Sequence, residues 1–178
     1  MPVPFQRVVV IGSSGAGKST FARKLGAVTG LPVTHIDQLF WQPGWALTPK
    51  AVYLQKLADV VARDRWIIEG VNESTLDLRF PRTDLVVWLQ RGRIACLWRV
   101  ARRVAGTYGR VRPDMAPGCP EGLPDWGFLE YIWTYPQRIA PRIEEAIGRH
   151  RLADRTVRLD SDRAAQGWLD GLAVECAN

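Results

Sequence analysis

Gly12-Ser13-Ser14-Gly15-Ala16-Gly17-Lys18-Ser19 decides how the rest of this chain is read, because it satisfies G-x-x-x-x-G-K-[ST] at every fixed position. Its glycines let the backbone curl until successive N–H groups converge on phosphate oxygens, and the helix that follows adds its positive end. The flanks have the required pattern. Arg7-Val8-Val9-Val10-Ile11 is a short continuous apolar run, as expected of a strand buried on both faces. Lys18 to Val28 carries Phe21, Ala22, Leu25 and Val28 on one helical side, with Gly30 and Pro32 as stop signals. Gly12 to Ser19 is therefore the expected cradle for the phosphates of a nucleotide. Lys18 reaches the β- and γ-phosphates, Ser19 ligates Mg²⁺, and Thr20 touches the α-phosphate. GTPases, transporters and kinases share such a loop, so alone it implies nucleotide binding only.

Further strands are expected at Val33–Ile36, Arg65–Glu69, Asp84–Leu89 and Thr156–Leu159. Helices are expected from Thr48 as N-cap with Pro49 in the first turn, over 94–104, over 126–147 with Pro136 and Pro141 kinking or dividing it, and over 164–174. Strands alternating with helices imply an α/β fold, a five-stranded parallel sheet with helices on both faces. Residues 107–125 follow neither period; so long a loop inside a compact domain implies a functional lid. The expectation is one domain over 1–178, with an arginine-rich lid or substrate loop at about 99–125.

A 47% hydrophobic and 24% charged composition suits a soluble enzyme, and no apolar run is long enough to span a membrane. Met1 to Phe5 lacks the basic start and apolar core of a secretory signal, so a cytoplasmic location is expected. Cys96, Cys119 and Cys176 are too scattered for a disulfide framework or zinc site and are expected to be ordinary thiols. The net charge of +6 is concentrated. Nine arginines lie from Arg79 to Arg112 against Asp84 as the single acid, and no lysine follows Lys56. The planar guanidinium fork matches phosphate oxygens, so phosphates are the first partner to expect and nucleic acid the second.

No N/T-K-x-D base-reading motif is present, which argues against a GTPase. Four blocks then carry a specific likeness: His35 to Trp45, Trp66 to Gly70, Leu97 to Val100, and Arg112-Pro113-Asp114-Met115-Ala116-Pro117-Gly118-Cys119-Pro120-Glu121. Together they resemble the bacterial adenylate-kinase-related group called "DNA topology modulation protein", over about residues 7 to 160. The resemblance implies an adenylate-kinase-like P-loop fold, and the group's name implies an effect on DNA. Two positions depart from the group's pattern. The third strand ends Glu69-Gly70-Val71 where Asp-Gly-Asn is more usual, with Asn72 one place later; the fourth ends Leu89-Gln90-Arg91 where an acid is frequent, so no metal ligand is placed at Gln90.

Several side chains are candidates for the chemistry. Asp37, just past the second strand, either accepts a proton from an attacking hydroxyl, holds a Mg²⁺ water, or merely caps a turn. An acid there suits a hydroxyl acceptor better than a phosphate. Glu69, ending an apolar strand, is the expected Walker-B-like carboxylate for Mg²⁺ or the acceptor, against a plain strand-end ion pair. Phe40, Trp41 and Trp45 either stack on a flat acceptor or pack. Arg79 is read as an acceptor-side arginine or a surface ion pair; the former would suggest a phosphate acceptor. Arg99 shares a helix face with Arg102 and Arg103, and with Arg110 and Arg112 such a face would neutralise the transferred phosphoryl group. His35 and His150 are expected to be structural. The leading expectation is a Mg²⁺-ATP-dependent kinase of a small-molecule acceptor, with Lys18, Asp37, Arg99 and Arg103 catalytic. The rivals are a nucleotide-regulated nucleic-acid binder affecting DNA topology, and a conformational-switch NTPase.

Overall fold

The structure, a computed structural model, describes residues 4–177. In chain order the elements are β1 (Arg7–Gly12), α1 (Lys18–Thr29), β2 (Val33–His35), α2 (Ile36–Phe40), β3 (Trp41–Gln42), β4 (Ala46–Leu47), α3 (Lys50–Val61) and β5 (Trp66–Glu69). There follow α4 (Leu76–Arg79), β6 (Leu85–Leu89), α5 (Arg93–Thr107), α6 (Trp126–Arg138), α7 (Ala140–Arg149), β7 (Thr156–Leu159) and α8 (Asp162–Ala177). Five strands form a sheet in the order β2-β5-β1-β6-β7, and every pairing in it is parallel. The expected α/β fold with a five-stranded parallel sheet is the observed one.

Alternation along β1 divides the core between the two faces. Val8 and Val10 pack with Phe21 and Leu25 of α1, Val100 of α5 and Leu169 and Leu172 of α8. Val9 and Ile11 pack on the opposite face with Tyr53 and Leu57 of α3 and Ile143 and Ile147 of α7. Because β1 is central and covered on both sides, it carries no polar residue between Arg7 and Gly12. Asp84 ties the amino ends of β1 and β6, accepting from the Gln6 and Arg7 amides at 3.0 Å and from the Arg7 guanidinium at 2.8 Å. The loops that carry chemistry emerge at the opposite, carboxyl edge.

The Leu39–Trp45 stretch completes α2 and then turns through the antiparallel hairpin β3-β4, with Trp41 opposite Leu47. Thr48 does not cap α3; Pro49 stands at the N-cap and the Thr48 hydroxyl is buried without a partner. The 126–147 helix is divided, in keeping with its prolines, at Ile139, with Pro141 in the first turn of α7 and Pro136 inside α6. The segment after β5 folds into short helical turns, a 3₁₀ turn at Glu73–Thr75 and then α4. No helix among the described residues is long and apolar enough to cross a membrane.

Candidate active site

The loop from β1 to α1 closes under tight packing. Gly15 has φ +81°, and a Cβ there would lie 2.4 Å from the Cys96 carbonyl oxygen, so α5 is seated directly on this loop. Lys18 donates from Nζ to the Ser13 carbonyl at 3.1 Å, which folds its side chain back along the loop. Of the nine residues expected to cradle a nucleotide, Ser14, Gly15, Gly17, Lys18, Ser19 and Thr20 line a cavity of about 1290 Å³. Gly12, Ser13 and Ala16 do not line it; Ser13 and Ala16 are buried behind it.

Glu69 binds the sheet edge to this loop. Ser19 Oγ donates to Glu69 Oε2 at 3.3 Å, Lys18 Nζ lies 4.0 Å from Oε1, and His35 Nδ1 lies 2.7 Å from Oε2. His35 and Glu69 are both buried, at the carboxyl ends of the adjacent strands β2 and β5. His35 thus stands at the edge of the site, bonded to Glu69. Asp37, in the first turn of α2, faces the same cavity. Solvent reaches it through the cavity, yet protein atoms crowd around its carboxyl group. That desolvation, with the nearby Glu69 charge, pushes its pKa above the ordinary carboxylate range despite the opposing pull of Lys18 and Arg112.

Residues 99–125, expected as a lid, form an ordered roof beside the cavity. α5 carries its first part, and Tyr108 and Val111 form single bridges to Glu121 and Pro120. Glu121 is buried and paired with Arg103 at 2.9 Å and with Arg112 at 2.5 Å. Arg112 also binds Asp114 at 2.7 Å, and Arg23 of α1 stands 4.0 Å from the same carboxylate. Burial alone would raise the Asp114 pKa; the Arg112 charge, the Ser19 hydroxyl and the local backbone together bring it below the ordinary value. Arg99 lies over the loop, its Nη1 3.9 Å from where a Gly17 Cβ would stand, while its Nη2 donates to Asp162 at 2.7 Å. Arg102 and Arg110 are exposed and do not line the cavity.

The roof is joined to the β3-β4 hairpin. Gly44 N–H donates to the Gly118 carbonyl at 2.8 Å, Trp45 Nε1 to the Pro120 carbonyl at 3.0 Å, and Gln38 Nε2 to the Pro113 carbonyl at 2.8 Å. The Cys119 thiol lies 3.1 Å from the Gln42 carbonyl oxygen. Gly118, at φ +76°, would place a Cβ 2.8 Å from Pro43 Cβ, so this approach admits no side chain. Trp41 and Trp45 meet edge to face at 5.4 Å, and Phe40 meets Trp41 the same way at 5.1 Å. All three rings line the cavity, and Trp45 holds a left-handed φ of +62°, rare for a bulky side chain.

Arg79 is placed elsewhere. It is fully buried and outside the cavity lining, and its guanidinium donates to the carbonyls of Gly70 and Asn72 at 3.1 Å and of Thr75 at 3.4 Å. Burial pushes its pKa down to about 10, which leaves it charged at neutral pH. The acceptor-side reading of Arg79 is therefore corrected: it organises the turn after β5. Lys18, Asp37, Trp41, Trp45, Glu69, Arg99 and Arg103 are brought together around one cavity. Arg23, Glu73, Asp114 and Glu121 join them without having been singled out. Arg23 lies one turn beyond Ser19 on α1, a spacing that signals a shared face; the two lid acids offer no such local signal.

Sheet order and loop define an α/β fold, a five-stranded parallel sheet with a glycine-rich loop leading from its central strand into α1. Among solved structures the chain is similar to a shikimate kinase from Acinetobacter baumannii in complex with shikimate, with a TM-score of 0.60 at 15% identity over 97% of this chain and 95% of that one. It is also similar to a gluconokinase from Sinorhizobium meliloti 1021, TM-score 0.54 at 21% identity over 97% and 95%, and to an unliganded sugar kinase from Janibacter sp. HTCC2649, 0.50 at 18% over 97% and 92%. At these identities the likeness is one of fold. No protein-family model matches the chain, and no curated protein matches it in sequence.

Proposed function

We propose that this protein is a Mg²⁺-ATP-dependent phosphotransferase whose acceptor atom is a hydroxyl oxygen of a small molecule. The carrying observation is that Asp37 faces the same cavity as Lys18 and Ser19, while Arg79, the candidate cation for an acceptor phosphate, is withdrawn into the core. A carboxylate there accepts the hydroxyl proton as the new O–P bond forms and the β–γ bridging bond breaks to release ADP. The raised pKa of Asp37 suits it to that exchange. Lys18 neutralises the terminal phosphates, and Arg99 and Arg103 on α5 neutralise charge spreading over the transferred group.

Ser19 and Glu69 would hold Mg²⁺, directly or through water, and their 3.3 Å contact puts both oxygens beside the loop. Among the described residues no group of three or more acidic, histidine or cysteine side chains surrounds one point, which fits an ion that keeps mostly water and phosphate ligands. When bound, the ion supplies further neutralisation of phosphate charge. The resemblance in the roof and hairpin blocks falls on the residues that enclose the acceptor side. Three of the nine arginines that prompted the nucleic-acid reading are taken up internally: Arg79 in the core, Arg103 and Arg112 on Glu121.

Release of ADP from Mg²⁺-ATP, followed across small alcohols, sugars, nucleosides and nucleotides, tests the proposal. A hydroxylated compound should raise turnover well above ATP hydrolysis in water, and Lys18→Ala should abolish the increase. Transfer to a nucleoside monophosphate alone would sink the hydroxyl assignment, and salt-sensitive duplex binding without acceptor-dependent turnover would sink the kinase.

A further inference from the structure

The acceptor side of the cavity has one charge sign. The cations that line the cavity stand on α1, α5 or the roof: Lys18, Arg23, Arg99, Arg103 and Arg112. The α2, hairpin and post-β5 side contributes Asp37, Glu69 and Glu73 to the lining and no lysine or arginine. Arg112, the roof cation whose charge reaches Asp37, is already held by Asp114 and Glu121. Glu73 pairs through Oε1 with Arg142, and its Oε2 is buried with no hydrogen-bond partner. The polyanionic nucleotide takes the cationic side, so an acidic acceptor opposite it would face Asp37 and the unpartnered Glu73 Oε2 with no lysine or arginine lining that side of the cavity.

The aromatic residues add a shape. Phe40, Trp41 and Trp45 meet at 75–86°, which makes corners and not a parallel slot. A planar base fills a slot between parallel rings; a rounded ammonium head suits a corner, where it meets the negative face of one ring and the carboxylates beside it. Trp45 is held for this by its strained φ and by the roof carbonyl of Pro120, which takes up its indole N–H. Phe40 and Asn72 are linked through Tyr53, by a ring contact at 5.3 Å and a 3.2 Å hydrogen bond, which puts the corner and the Glu73 turn on the same side.

We propose that the acceptor is a hydroxylated amine, its ammonium group held by the Trp41–Trp45 corner and the carboxylates of the acceptor side. This rests on the phosphotransferase proposal for the hydroxyl, but the amine preference is a property of the cavity itself. It is therefore read without nucleotide. D-glucosamine, D-glucose and D-gluconate offer a closely related polyol skeleton with positive, zero and negative charge, and choline offers a compact hydroxylated cation. Calorimetric titration should give D-glucosamine at least about tenfold tighter binding than D-glucose, with D-gluconate weakest and choline bound. Glu73→Gln and Trp41→Leu should each shrink the glucosamine-to-glucose ratio at least about threefold.

D-gluconate binding as well as D-glucosamine, equal binding of the amine and neutral sugars, or no binding of either cation up to about 20 mM would each overturn the proposal. An unchanged ratio in both variants would remove the corner and Glu73 as its cause. ATP titrated separately keeps the two proposals apart. ATP binding without amine preference leaves the phosphotransferase standing and the amine refuted; amine preference without ATP binding does the reverse.

Discussion

Replacing Arg79 by methionine removes a fully buried guanidinium and keeps most of its aliphatic volume. The carbonyls of Gly70, Asn72 and Thr75 then lose this donor; Asn72 keeps the Thr75 amide and hydroxyl, so the cost falls mainly on the buried Gly70 and Thr75. A buried polar group left without a partner costs about 1–3 kcal/mol. Full addition is not expected, because the variant also sheds the desolvation penalty of a buried cation and the turn can relax toward solvent. A net loss of about 2–4 kcal/mol follows, which for a chain of this length lowers Tm by roughly 5–15 °C. Arg79→Lys should fall between, since one ammonium cannot fork to three carbonyls. Thermal unfolding by circular dichroism reads the loss, with acceptor kinetics taken well below the variant's Tm. The acceptor KM should stay within about threefold of the parent's for both variants, because the side chain does not line the cavity. A Tm within 2 °C of the parent's together with an acceptor KM raised about tenfold would refute the structural assignment and return Arg79 to the substrate.

Asp37→Asn should lower kcat by about 10²–10⁴-fold and abolish the acid limb of the pH–rate profile, which in the parent protein lies above the ordinary carboxylate range because the Asp37 pKa is raised. The stability sign is opposite: a carboxyl raised by folding contributes stability below its unfolded pKa that is lost as pH rises through its folded one, so urea titrations should show Asp37→Asn gaining relative to the parent as pH increases across that window. Gly15→Ala places a Cβ 2.4 Å from the Cys96 carbonyl at φ +81°. Left-handed strain of about 1–2 kcal/mol plus displacement of α5 should cost several degrees of Tm and eliminate ATP binding, measurable by calorimetry. His35→Leu strips Glu69 of its 2.7 Å partner and should weaken apparent Mg²⁺ affinity about tenfold, with His35→Gln recovering part of it.

What the sequence disclosed was local in origin. Glycine spacing, a continuous apolar strand and a helix phase each act within a few residues, so the turn from β1 into α1, the parallel sheet and the positions of Asp37 and Glu69 at its carboxyl edge could be read directly. The direction of a side chain ten residues past a strand is a different matter. Arg79 turns inward because α4 returns it beneath the β5 turn, and no period in the sequence encodes that return. The roles of Asp114 and Glu121 escaped notice because they depend on arginines the fold brings to them, Arg23 from α1 and Arg103 from α5. β3 and β4 are two residues each, too short to show alternation, and their pairing is fixed by the roof they touch.

Those contacts between roof and hairpin bear on the order of events in turnover. Hinged parts that close independently over donor and acceptor allow either substrate to be trapped while the other exchanges. Here Gly44 is bonded to Gly118, Trp45 to Pro120 and Gln38 to Pro113, so the two covers are mechanically a single flap. Under the proposed phosphotransfer, lifting that flap to admit an acceptor would loosen Arg112 and Glu121 as well, and lowering it would shut both halves of the cavity at once. Commitment of one substrate would then be commitment of the other.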